Sequence, residues 1–92
     1  MLQDNTKTFR VAGKSKATEV AGAIAWRVRE VGKAKLLAVG PAAVNQATKA
    51  VAIARTYLAL EGVELVMVPE FVDVDFGDKK ATGLEIIVEK RQ

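Results

Sequence analysis

The sequence predicts a single α/β domain, a two-layer sandwich in which two helices cover one face of a mixed four-stranded sheet. Its 92 residues are 50% hydrophobic and 27% charged, which is the composition of one globular domain. Four segments are strand-like and two have apolar residues at helical spacing, in the order βαβαββ. No linker, repeat or low-complexity stretch divides the chain. We therefore expect one domain over residues 1–92, with residues 1–6 as a flexible N-terminus.

A change of period predicts the first strand and the first helix. Residues 6–12 alternate, with Phe9 and Val11 on one side, and residues 13–16 interrupt the alternation. Ser15 is the expected N-cap, because its hydroxyl can accept from free amides of the first turn. The helix then continues to Gly32, with an apolar stripe formed by Ala17, Val20, Ala21, Ile24, Val28 and Val31.

The second strand and helix surround a Gly-Pro pair. Residues 34–39 are nearly all apolar, which predicts a strand buried on both faces. Pro41 suits the first turn of an alanine-rich helix that ends near Gly62. The polar side of this helix is either a solvated face or a seam against another helix, and it consists of Asn45, Thr48, Lys49, Ala52, Arg55, Thr56 and Ala59.

The last two strands form a hairpin. Residues 63–76 and 84–88 are rich in β-branched and apolar residues, and residues 77–80 supply the turn. Pro69 indicates a bulge or an edge strand, where no backbone donor is needed. Phe71 and Ile87, with one side of residues 65–68, are expected on the sheet face that the helices leave uncovered. We expect a second copy to cover part of this apolar surface.

Composition excludes several chemistries. The chain has no cysteine and no histidine, which excludes disulfides, thiolate nucleophiles and histidine-based hydrolytic triads. Gly13-Lys14-Ser15 resembles the end of a phosphate-binding P-loop, but that pattern needs glycine where Thr8 stands. A calcium-binding loop starting at Asp73 would need glycine where Asp78 stands. We expect no enzymatic activity, no cofactor and no metal.

Charge is distributed unevenly along the chain. Residues 1–60 hold ten basic and three acidic residues, a net charge of +7, whereas residues 61–92 hold four basic and eight acidic residues, a net charge of −4. The first part can therefore face a polyanion. Lys14 and Lys16 lie beside the positive end of a helix dipole, which favours phosphate, although a solvated loop is the alternative. Asn45 and Gln46 either bind phosphate or cap the second helix.

Trp26 lies opposite the apolar stripe of the first helix, so it is expected to face outward. A neighbouring loop, a subunit contact or a stacked base would each explain such a position. At the N-terminus, no signal peptide is recognisable, and no later run is long enough to span a membrane. These features predict a cytoplasmic protein with no membrane partner.

Two segments, residues 20–25 and above all residues 39–55, resemble the bacterial stage V sporulation protein S family. The resemblance extends from about Lys7 to Arg91. This family is similar in fold to Alba, a small basic DNA- and RNA-binding protein of archaea, which implies a βαβαββ domain that forms dimers or larger assemblies. Alba-like proteins meet the nucleic-acid backbone with a lysine pair in the first strand-to-helix loop, and Lys14 and Lys16 match that pair. A short turn replaces their arginine-rich hairpin.

The sequence is compatible with two functions. The first is a homodimeric, nucleic-acid-binding regulator of sporulation or development that contacts DNA or RNA phosphates. Its expected contact residues are Lys14, Ser15, Lys16, Asn45, Lys49 and Arg55, with Arg10, Lys79 and Lys80 contributing less. The alternative is a protein–protein interaction or assembly factor in sporulation or septation that binds no nucleic acid. Trp26, Phe71 and Ile87 are the expected interface residues.

Overall fold

The computed structural model describes residues 7–91, and the predicted flexible segment, residues 1–6, lies outside the described residues. Six elements occur in the predicted order: β1 (Thr8–Val11), α1 (Ala17–Val31), β2 (Lys33–Ala38), α2 (Pro41–Ala59), β3 (Leu65–Phe76) and β4 (Lys79–Lys90). The strand order in the sheet is β1-β2-β4-β3. The β1–β2 pair is parallel, and the other two neighbouring pairs are antiparallel. The predicted α/β sandwich is therefore confirmed.

A hydrophobic core lies between the two helices and one face of the sheet. Its largest fully buried side chains come from both layers, and they are Ile24, Val28, Leu36, Leu58, Ile86 and Val88. Alanines occupy most of the other buried positions of α2. Because an alanine side chain ends at Cβ, the backbone of α2 packs close to α1.

The predicted helix ends are correct at Gly32 and Pro41, and the predicted N-cap at Ser15 is not. Gly32 closes α1 with a φ of 88°, and Pro41 occupies the first turn of α2. The prediction that Ser15 is the N-cap of α1 is wrong, because Lys16 precedes the helix instead. The Ser15 hydroxyl accepts a hydrogen bond from the N–H of Ala12 at 2.9 Å, so it closes the turn after β1.

The prediction that β2 is buried on both faces is correct for one face only. Ala34, Leu36 and Ala38 are buried under the helices, whereas Lys33, Lys35 and Leu37 are half-buried on the other face. This second face, which we call the open face, is not covered by any helix among residues 7–91. Charged residues on it make it less apolar than the sequence predicts.

The hairpin of β3 and β4 has an unbroken register from Leu65, opposite Lys90, to Phe76, opposite Lys79. Its turn is two residues long, with Gly77 at a φ of 68°. Because β3 is an edge strand and its register has no interruption, Pro69 marks an edge and not a bulge.

The same register corrects the predicted position of Phe71. Directly opposed side chains of an antiparallel pair lie on the same face of the sheet. Phe71 is opposite Leu84, which packs against the core, whereas Ile87 is opposite Val68 on the open face. Phe71 and Ile87 therefore lie on opposite faces, and the prediction that they share the uncovered face is wrong.

Residues 71–83 form a hairpin arm that continues beyond the helix-covered part of the sheet. The pairing of β2 with β4 ends at Ala38, opposite Leu84, so the arm has no third strand beside it. Phe71 is 85% exposed although it is on the helix side, because neither helix reaches over it. On the other side of the arm, Val74 is buried against Gly83.

Neither α1 nor α2 combines the length and the apolar character that a membrane-crossing helix needs, in the part of the chain that the structure describes.

Candidate nucleic-acid interface

The basic loop, residues 13–16, joins β1 to α1 and is held in place by neighbouring elements. The side-chain amide of Gln46 donates a hydrogen bond to the carbonyl oxygen of Ser15 at 2.8 Å. A Cβ atom at Gly13 would lie only 2.8 Å from Cβ of Ala42, so the loop backbone packs directly on α2. The two contacts fix the loop against the first two turns of α2.

The loop presents both of its lysine side chains to solvent. Lys14 and Lys16 are exposed, while Ser15 between them is half-buried by its contacts. The carbonyl of Lys16 accepts the first hydrogen bonds of α1, from Glu19 and Val20. Both ammonium groups therefore lie near the N-terminus of α1, where the helix dipole favours an anion.

Lys49 is the helix cation that is nearest in sequence to this loop contact. It is exposed and follows Gln46 by three residues, so it lies one turn farther along approximately the same side of α2. Asn45 is also exposed and precedes Gln46 directly. The structure thus brings Lys14, Lys16, Asn45 and Lys49 to one region of the surface.

Arg55 does not belong to this region. It lies six residues after Lys49, which corresponds to about 9 Å along the axis of α2 and about 120° around it. It lines a groove between α2 and β3 together with Thr48, Ala52 and Leu65. Lys49 and Arg55, both expected to contact nucleic acid together with Lys14 and Lys16, therefore lie on two different sides of α2.

Arg10 and the two lysines of the hairpin form a separate group near the tip of the hairpin arm. The guanidinium of Arg10 lies 5.8 Å from the ring centre of Phe76, at cation–π distance. Lys79 is opposite Phe76 in the hairpin, and Lys80 is opposite Asp75. Arg10 also lines a groove with Lys14, so it links the tip of the arm to the basic loop.

The three predicted interface residues lie on three different surfaces. Trp26 is 64% exposed on the outer side of α1, as its helical position predicts. Phe71 is exposed on the helix side of the hairpin arm, and Ile87 is half-buried on the open face. A single contact with a second copy cannot cover all three residues through one flat surface.

Sequence reasoning missed the roles of two residues. Gln46 neither caps α2 nor stays free for phosphate, because its amide holds Ser15; no side chain caps this helix. Arg91 lines the same groove as Arg55 and forms an ion pair with Glu64 at 3.1 Å. Neither contact has a local sequence signal, since each depends on how distant elements meet.

The described residues contain no group of three or more Asp or Glu side chains that is arranged to hold a metal ion. The arrangement around the basic loop is suited to holding an anion with ammonium groups on a fixed backbone. It offers contacts to phosphate oxygens.

A protein-family model described as Stage V sporulation protein S matches residues 7–91. The match includes the basic loop, both helices and all four strands.

Proposed function

The chain belongs to the stage V sporulation protein S family, and we propose that it carries out its sporulation-related role as a homodimeric regulator that binds nucleic acid. In this proposal the protein binds the phosphate backbone of DNA or RNA in the cytoplasm. The proposal assigns no catalytic step and no cofactor to the chain.

The observation that carries the proposal is the anchored basic loop. Gln46 and Ala42 hold its backbone against α2, while Lys14 and Lys16 extend into solvent. Because the backbone is already fixed, less conformational entropy is lost when the two ammonium groups engage an anion. Lys49, one turn from the anchor, adds a third positive charge on the same side.

This arrangement favours backbone contacts over sequence recognition. Lysine ammonium groups on a loop bind phosphate oxygens and carry no base-specific pattern. The exposed aromatic residue of α1, Trp26, lies on the outer side of that helix and does not interleave with these lysines. We therefore propose binding with little sequence preference, in which Arg10, Lys79 and Lys80 make secondary contacts.

The test is a titration of duplex DNA, single-stranded DNA and RNA at low and moderate salt, with the wild type and Lys14→Glu/Lys16→Glu. Each phosphate contact contributes about 0.9 to the slope of log affinity against log salt for duplex DNA. Loss of both lysines should lower this slope by about 2 per chain and weaken binding at low salt. Duplex, single strand and RNA are then ranked by affinity.

A charge-matched control separates a local contact from net charge. Lys90→Glu/Arg91→Glu changes the charge by the same amount at the opposite end of the sheet, where Lys90 is opposite Leu65. This control should retain most of the wild-type affinity and slope. Absence of binding by the wild type at low salt, or equal losses in the two double variants, would overturn the proposal.

A further inference from the structure

The two edges of the sheet carry opposite charges, and we propose that copies of this chain assemble head to tail by pairing them. In this assembly the acidic edge of the hairpin arm of one copy adds as a strand beside β1 of the next copy. The proposal does not depend on nucleic-acid binding.

Both edges have backbone groups available for a further strand. Among residues 7–91, β1 pairs with β2 alone and β3 pairs with β4 alone. One side of each strand therefore presents unpaired N–H and C=O groups, which can bind another extended strand.

The β1 edge opens into a groove below α1. Phe9 and Val11 of β1 and Val20 and Ala23 of α1 supply the apolar part of its lining, and Arg10 and Glu19 add one charge of each sign. At the C-terminal end of β1 it is lined by the basic loop, including Lys14 and Lys16. An occupant of this groove should therefore be apolar first and acidic farther along the direction of β1.

The arm edge of β3 has this order of side chains. Phe71, Asp73 and Asp75 follow one another on the helix side of the strand, and all three are exposed. Four residues of strand span about 13 Å, so the two carboxylates lie one and two pleats beyond the phenyl ring. With Phe71 in the groove beside Phe9, the carboxylates come alongside Val11 and the basic loop.

Strand direction fits a parallel pairing of these two edges. Because β2 is parallel to β1, β4 is antiparallel to β2, and β3 is antiparallel to β4, the strands β1 and β3 run in the same direction. Copies that are related by a translation across the strands, combined with a rotation that follows the twist of the sheet, thus bring β3 beside β1 in parallel. Their helices stay on the same side, and α1 of one copy lies over Phe71 of the next.

Charge selects this pairing against the symmetric ones. Two arm edges would bring aspartates together, and two β1 edges would bring the basic loops together, so both arrangements are disfavoured by repulsion. Pairing of unlike edges leaves a free edge of each kind at the ends. Such a heterologous contact extends into a filament unless its rotation closes a ring.

The assembly and a nucleic acid would compete for Lys14 and Lys16. Carboxylates of a neighbouring copy and phosphates are both anions, and the basic loop cannot satisfy both fully. If both interactions occur, added duplex should shorten the assemblies.

The test measures mass by sedimentation on nuclease-treated full-length protein. The wild-type average mass should rise with concentration at low salt and fall at about 0.5 M salt, where charges on the surface are screened. Lys14→Asp/Lys16→Asp and Asp73→Lys/Asp75→Lys should each lose this rise. An equimolar mixture of the two variants should recover it, since each then offers an edge complementary to the other.

Two single variants test the apolar part of the contact. Phe71→Ser should abolish the rise in mass, whereas Leu60→Ser should leave it unchanged. Leu60 is the matched control, because it is 90% exposed at the end of α2 and belongs to neither edge.

A wild-type mass that is independent of concentration would overturn the proposal, as would a mixture that fails to recover assembly. Binding of a separate acidic peptide at β1 by a wild type of constant mass would assign the groove to another protein, which also overturns it.

Discussion

The helix-covered part of the sheet and the hairpin arm have similar alternating sequences but opposite environments. Leu36 and Ile86, under the helices, are fully buried, whereas Phe71, on the same side of the arm, is 85% exposed. The difference arises because neither α1 nor α2 extends over the arm. An apolar residue on the helix side of the sheet is buried only where a helix lies over it, and Phe71, which has no helix over it, is available for contacts with another molecule.

The two regions also differ in charge. The basic loop belongs to the covered region and is anchored on α2, whereas the arm carries three aspartates and two lysines, a net charge of −1. Nucleic-acid binding is proposed for the first region, with Lys79 and Lys80 of the arm as secondary contacts, whereas the aspartates of the arm would repel the same ligand. Assembly of copies is proposed to use both regions, one from each partner.

The largest expected effect is on the free energy of unfolding, when one apolar side chain from each region is truncated. Leu36→Ala should lower the free energy of unfolding by about 2–5 kcal/mol, because it leaves a cavity in the core. Phe71→Ala should change it by about 0.5 kcal/mol or less under conditions where the protein is unassembled. Denaturant unfolding in high salt measures both values, and comparable losses would contradict the distinction between the two regions.

A smaller effect is expected at the joint between the regions. A Cβ atom at Gly83 would lie 2.9 Å from Cγ2 of Val39 and 3.2 Å from the carbonyl oxygen of Ala38. Gly83→Ala should therefore cost about 1–3 kcal/mol through overpacking, measured by the thermal midpoint. Adding Val39→Ala should recover part of the loss, since it removes the closer of the two contacts.

The same substitution at an uncrowded position serves as the control. Gly22 lies in α1, and a Cβ atom added there would have no neighbouring atom within 4 Å, so Gly22→Ala meets no steric barrier. It should raise stability by about 0.5–1 kcal/mol through helix propensity. If Gly22→Ala destabilised the protein as much as Gly83→Ala, the loss at Gly83 could not be attributed to close packing around that residue.

The smallest expected effect is a pH dependence in the covered region. Hydrogen bonds from Arg29 at 3.0 and 3.1 Å, with the charge of its guanidinium, hold the pKa of the Glu61 carboxyl below its ordinary value. A lowered pKa in the folded state means that the ionised carboxylate stabilises the fold above the unfolded-state pKa. This contribution is lost as the pH falls through the folded-state pKa.

Glu61→Gln should therefore reduce stability at neutral pH and have progressively less effect on acidification below the ordinary titration range of glutamate. Unfolding of the wild type and the variant across this acid range gives the comparison. Because both side chains are 44% exposed, the difference at neutral pH should be small. A difference that grows on acidification would contradict the assignment.

Local patterns in the sequence determined the six elements and most of their ends. The helical stripe of α1 and Gly32 define that helix, and Pro41 starts α2, because helix period and terminal backbone conformation depend on neighbouring residues. The alternation around Ile86 likewise identifies which side of β4 faces the core. Local patterns also identify Lys14 and Lys16 as exposed cations, since a strand-to-helix loop exposes its side chains.

Only the tertiary structure determined which of these residues contact one another. Ser15 closes a turn and Gln46 holds the basic loop because α2 packs beside that loop, which no local pattern encodes. Arg55 lines a groove because β3 packs beside its side of α2, and Phe71 is exposed because both helices stop short of it. Periodicity specifies which side of a helix or strand a residue faces. Whether that side is buried, and which residues lie near it, depends on the distant segments that pack against it.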